Sequence, residues 1–149
     1  MPVVVVAGVG NPLRGDDAAA WRVAEAVERR WGHQGVRLLV AQQVLPEWAA
    51  SLAEADVVYF VDAAAGSERI ALERLEPSPG DTAPAGTHAL EPPAILRMAL
   101  DLFGRAPEAY LLSIPATDFG FTERLSATTS QAVAAAIRML DECLAARLG

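Results

Sequence analysis

The stretch VVVVAGVGNPLRGDD, residues 3–17, decides how the rest of the chain is read. Residues 3–7 are apolar and β-branched up to Ala7 and do not alternate with polar residues. That pattern predicts a strand buried on both faces, as in a parallel sheet covered by helices on each side. The run then breaks into a loop punctuated by Gly8, Gly10 and Gly15 and ends on two adjacent carboxylates, Asp16 and Asp17. A phosphate-binding loop needs a neutral or basic end at that point. Two acids suit a cation instead.

Outward from this loop, strand and helix patterns alternate. Residues 18–31 carry Ala20, Val23, Ala24, Val27 and Trp31 at helical spacing, with Glu and Arg between them. Residues 36–41 (VRLLVA) predict a second strand, and 46–54 a short helix with proline in its first turn. Residues 57–63 (VVYFVDA) predict a third strand that carries Asp62 at its carboxyl end. Residues 69–75 alternate apolar and charged side chains, as a half-exposed edge strand does. After a loop at 77–87, Ile95, Met98, Ala99 and Leu102 mark a helix entered through Pro92 and Pro93. Residues 109–114 predict the fifth strand, and Val133, Ala136, Ile137, Leu140 and Leu144 one face of the final helix. The expected fold is α/β: one domain over 1–149, with a mostly parallel twisted sheet of about five strands and helices on both faces.

Composition narrows the functional classes. The chain has 149 residues and is 52% hydrophobic and 21% charged, which is ordinary globular usage. A net charge of −7 leaves no basic footprint for nucleic acid. All 12 basic residues are arginine, and the high alanine content points to base-composition bias in the source genome. No apolar run approaches the roughly 18 residues of a membrane span. The single cysteine, Cys143, allows neither an internal disulfide nor a thiolate zinc cluster. No basic segment precedes Val3, so a cytoplasmic protein is expected. Without a heptad or an unmatched apolar helix face, a monomer is expected.

In such a sheet, ligands bind beyond the carboxyl ends of the strands, where strand order reverses. The apolar runs at 3–7 and 57–63 are the candidates for the two central neighbours. Asp17 and Asp62 then face one crevice, and the loop GTHALEPP brings His88 to a helix start on the same side. Two carboxylate oxygens and an imidazole suit a divalent ion such as zinc, nickel or manganese, with positions open for substrate. Plainer readings stand beside this one. Asp16 and Asp17 flank a helix start, where acids serve as caps. Asp62 suits a buried salt bridge to an arginine. A lone His in a Gly/Pro/Thr loop is ordinarily solvated, as is His33 after a helix end. Cys143 reads as a packed thiol. No nucleophile–base pair is visible, which leaves covalent hydrolysis without its parts. GVGNPLRGD lacks the third glycine of the dinucleotide fingerprint.

The motif GVGNPLRGDD, with VVYFVDA and the GTHAL loop, resembles the hydrogenase maturation proteases, the endopeptidases that trim the C-terminal extension of the nickel–iron hydrogenase large subunit. The order of motifs matches along the whole chain, down to the strand ending SIP and the long last helix. The resemblance implies that Asp17, Asp62 and His88 hold a metal. In that family the metal is nickel already installed in the precursor; zinc, cadmium or another divalent ion takes the site when the protein stands alone. Catalysis then runs through Asp17, Asp62 and His88 by way of that ion, with Gly10, Asn11, Asp16, Gln42 and Gln43 in the loops facing the substrate. Two stretches depart from the family pattern: Ala18 and Ala20 replace glycines, and Gln42–Gln43 stand where many members carry Asp-Gly-Gly. Two other functions fit the same scaffold, a non-catalytic nickel-handling chaperone and a nucleotide or small-ligand binding module.

Overall fold

The computed structural model describes residues 1–80 and 90–149. Among these residues nine strands and α-helices follow one another: β1 (Val4–Val9), α1 (Ala19–Trp31), β2 (Arg37–Ala41), α2 (Trp48–Ala53), β3 (Val57–Ala65), β4 (Ala71–Leu75), α3 (Pro92–Phe103), β5 (Glu108–Ala116) and α4 (Ala127–Leu148). They build one five-stranded sheet in the order β2-β1-β3-β5-β4. All neighbours are parallel except β4, which pairs antiparallel with β5 at the edge. The expected α/β architecture is the observed one, and the charged, alternating segment at 69–75 is the edge strand.

The uninterrupted apolar run of β1 has a direct physical cause. Val4 and Val6 point into a core shared with α1 and α4, through Val23, Val27, Ala136 and Leu140. Val5 and Ala7 point the other way, into a core with Trp48 and Leu52 of α2 and Ile95 and Leu96 of α3. A strand buried on both faces needs an apolar side chain at every position. At roughly 1.5–3 kcal/mol for each fully buried aliphatic side chain, Val4, Val5 and Val6 anchor the sheet's centre. α3 begins with prolines in its first turn, where their missing N–H groups cost nothing, and ends on Gly104 in the left-handed conformation.

The chain passes from β1 to β2 on one side and from β2 to β3 on the other, so strand order reverses between β1 and β3. The two strands pair directly, with Val9 opposite Asp62. The β1–α1 loop, the end of β3 and the start of α3 therefore meet at one end of the sheet. A short 3-10 turn over Gly15–Ala18 precedes α1. Ala18 and Ala20 are buried there, and a Cβ on Gly8 would stand 3.2 Å from the Ala20 carbonyl oxygen. Helix and strand thus touch closely through small residues, and both alanine methyls are accommodated inside. Among the described residues no helix is long and apolar enough to cross a membrane.

Candidate functional site

At the β1–β3 switch point lies a cleft of ≈ 420 Å³. Gly10, Asp17, Gln42, Gln43, Asp62 and Glu91 supply its polar wall, and Val44, Phe60, Leu90 and Leu111 much of its apolar floor. Each arrives from a different connection: Gly10 and Asp17 from the β1–α1 loop, the glutamines from the end of β2, Asp62 from β3, and Glu91 from the residue before α3. The structure thus brings together five of the eight residues singled out in the sequence. His88 lies outside the described residues. Among the described residues no three metal-ligating side chains form a ready-made cluster.

Asp17 is held in place by its own loop. The Asn11 backbone N–H donates to Asp17 Oδ2 at 2.7 Å, while Asn11 Oδ1 accepts from the Leu13 N–H at 2.9 Å in a tight turn. Asn11 is not among the lining residues; it orients the carboxylate that is. Gly10 has a φ of +154°, and a Cβ there would fall 2.0 Å from the Asp17 carbonyl oxygen. Only glycine allows that approach. The Trp21 indole N–H donates to the Gly10 carbonyl and fixes the turn from outside.

Asp62 has the opposite surroundings. Burial raises its pKa to about 6 against a single backbone donor, the Ala63 N–H, with the negative charges of Asp17 and Glu91 adding to the rise. Among the described residues no arginine pairs with it, so the salt-bridge reading is not the observed arrangement. Among the described residues this half-buried carboxyl stands beside two other acids and meets no basic side chain. No arginine lines the cleft among the described residues. Three acids would repel a phosphate, which argues against the nucleotide-binding reading.

Asp16 departs most from expectation. Neither acid caps its own helix, since neither the 3-10 turn nor α1 has a side-chain cap. Nor does Asp16 face the substrate side as the resemblance implied. It is fully buried and turned toward the β5–α4 loop. Its carboxylate accepts from the backbone N–H groups of Thr117 (2.8 Å), Asp118 (2.9 Å) and Ser126 (2.7 Å), and from Ser126 Oγ at 2.8 Å. Burial pushes its pKa up, but these donors outweigh that and hold it well below the carboxylate range. Backbone bonds from Gly15 to Thr122 and from Asp16 to Asp118 join the same two loops. Asp16 therefore positions the wall from which Asp17 reaches into the cleft.

Glu91 is the acid that sequence reasoning passed over. Its only sequence signal was its place before Pro92, at a helix start on the strand-end side of the sheet. His33 is exposed, as expected for a residue past a helix end. Cys143 is partly buried beside Tyr59, and burial pushes its thiol pKa up, in keeping with a packed thiol.

No protein-family model and no curated protein sequence matches the chain. Solved structures do. The hydrogenase maturating endopeptidase HybD from Escherichia coli superimposes with a TM-score of 0.72 at 22% identity, over 97% of this chain and 93% of that one. The [NiFe] hydrogenase maturation protease HycI from Thermococcus kodakarensis KOD1 gives 0.71 at 24% identity, over 95% and 91%. HybD from Thermococcus kodakarensis, also a [NiFe] hydrogenase maturation protease, gives 0.68 at 18% identity, over 95% and 98%. The chain carries the fold of the hydrogenase maturation endopeptidases, the family that its motifs resemble.

Proposed function

We propose that this protein is an endopeptidase that removes the C-terminal extension of a nickel–iron hydrogenase large-subunit precursor after nickel has been inserted. The observation that carries the reading is the uncompensated pair Asp17 and Asp62 at the switch point, with Glu91 beside them and no arginine lining the cleft among the described residues. The fold shared with proteins named as maturation endopeptidases supports it.

In this reading the precursor's nickel is part of the substrate. Asp17, Asp62 and His88 bind it, and zinc or cadmium takes the same ligands when the protein stands alone. The ion brings a Lewis acid beside the peptide bond to be cut. Asp17, fixed by the Asn11 N–H, sets the precursor's orientation. Gln42 and Gln43 donate and accept along the passing backbone. Glu91, which the ligand set does not need, takes the proton of the attacking water. Cleavage waits for nickel because the acids lack a cation until the loaded precursor arrives. The protein works as a cytoplasmic monomer.

The test compares nickel-loaded with nickel-free large-subunit precursor, using wild type and Asp62→Ala, with products weighed by mass spectrometry. The expected result is loss of a C-terminal peptide from loaded precursor alone, and with wild type alone. Equal cutting of nickel-free precursor overturns the nickel gate. Intact precursor in every tube, with nickel still bound by wild type, makes the protein a nickel-handling chaperone.

A further inference from the structure

The two edges of the sheet are built differently. At β4 the edge alternates in charge, with Glu73 and Arg74 exposed and the Arg74 guanidinium lying over the Tyr110 ring at 5.5 Å. Such charges discourage pairing with another strand. At β2 the one charge is Arg37 at the far end, paired with Glu54 at 3.0 Å. Leu38 to Ala41 follow without a charge, all only partly buried, and β1 is their single strand partner among the described residues. Beside them runs a groove of ≈ 430 Å³ walled by Leu38 and Val40 of β2 and by Trp21, Glu25, Glu28 and Arg29 of α1.

This edge leads to the cleft. Gln42 and Gln43, which line the cleft, directly follow β2. Trp21 lies in the groove, and its indole N–H holds the carbonyl of Gly10, which lines the cleft. We propose that the open edge of β2, with the groove beside it, holds the precursor's C-terminal extension as an added sixth strand running antiparallel to β2, away from the cleft. This rests on the protease reading, because it assigns a chain that leaves the cut site. The extension is the part of such a substrate that forms a free chain end and can lie extended along an edge. Backbone bonds to β2 give affinity irrespective of sequence, and the groove takes every second side chain, apolar against Trp21, Leu38 and Val40, with polar ends met by Glu25, Glu28 and Arg29.

Strand geometry sets the footprint. A strand added beyond β2 lies about two and a half strand spacings from the β1–β3 switch, or about 12 Å. About four extended residues cross that distance, and about five more pair along β2.

The probe is a synthetic peptide of the precursor's extension, tested with the full chain in two N-methylated forms that block alternate backbone N–H groups. Only one alternating set can face β2, so one form should bind about tenfold more weakly and the other within twofold of the parent. Amide exchange at residues 37–41 should slow when the parent peptide is added. Equal binding of both forms, or unchanged exchange, overturns the proposal. Slow exchange that depends on protein concentration without peptide also overturns it, since a second copy then covers the edge. Cleavage of loaded precursor is followed separately. Slowed exchange and alternating binding without cleavage leave the docking and remove the protease reading. Cleavage with unchanged exchange does the reverse.

Discussion

Asp16 and Asp62 are carboxylates taken out of water at the same end of the sheet, yet they differ in every other respect. Asp16 meets three backbone N–H groups and the Ser126 hydroxyl, and stays ionised. Among the described residues Asp62 meets one backbone donor and two other acids, and its pKa rises to about 6. Burial acts in the same direction on both; the supply of donors decides the outcome. An acid that the fold satisfies is structural, and an acid that it leaves unsatisfied awaits something from outside.

The sharpest way to break this contrast is Asp62→Asn. Precursor cleavage should fall on the order of 10³-fold, the range of a lost acid–base or metal-orienting group. Stability should move the other way. Because the folded-state pKa of Asp62 is raised, its favourable contribution is full below about pH 4 and is lost as pH rises through about 6. Asparagine escapes that loss, so the variant should gain about 2 kcal/mol in urea unfolding at pH 8. A variant that loses both stability and activity would show Asp62 to be structural.

Asp16→Asn inverts the pattern. It strips charge from an acceptor of four short hydrogen bonds and should cost about 2–4 kcal/mol. At temperatures where the variant is still folded, cleavage should survive within a fewfold. The lowered pKa of Asp16 means that its contribution is present above about pH 4 and is lost only as pH falls further. Wild type should therefore show an acid-side loss of stability that the asparagine variant lacks, measured by unfolding curves across pH 2–5.

Binding of a divalent ion should reveal Asp62 from the other direction. Below about pH 6 its carboxyl is protonated, and affinity for nickel, followed by calorimetry, should fall about tenfold per pH unit. Glu91→Gln should separate two readouts: cleavage, which needs Glu91 as the base, should fall on the order of 10²-fold or more, while nickel binding should change least. Removing one of the charges that raise Asp62 should shift this pH midpoint downward by a fraction of a unit. A midpoint that does not move would separate Glu91 from the site.

The sheet was legible because its causes are local. Four consecutive valines admit a strand covered on both sides, and VVYFVDA repeats the pattern next door. Asp62 was legible because a carboxylate that ends an apolar strand stands out. The division of labour between Asp16 and Asp17 was not. The two are adjacent and chemically alike, and what separates them are donors 101 to 110 residues away. Glu91 escaped notice because acids before prolines at helix starts are common, and only the end of β3 beside it makes this one different. The open edge of β2 was equally invisible, since a five-residue apolar strand reads alike at the centre and at the rim.

The bonds from Thr117, Asp118 and Ser126 to Asp16 also impose an order of events during synthesis. The acid that opens the cleft wall is made early, and the groups that satisfy it leave the ribosome about a hundred residues later. Until then the β1–α1 loop holds a carboxylate that has no reason to turn inward, and the wall that carries Asp17 is not yet fixed to the β5–α4 loop. A nascent or truncated chain that ends before Ser126 therefore has both acids but lacks bonds that anchor their loop. Competence to engage a precursor is acquired late, when the stretch leading into α4 comes home.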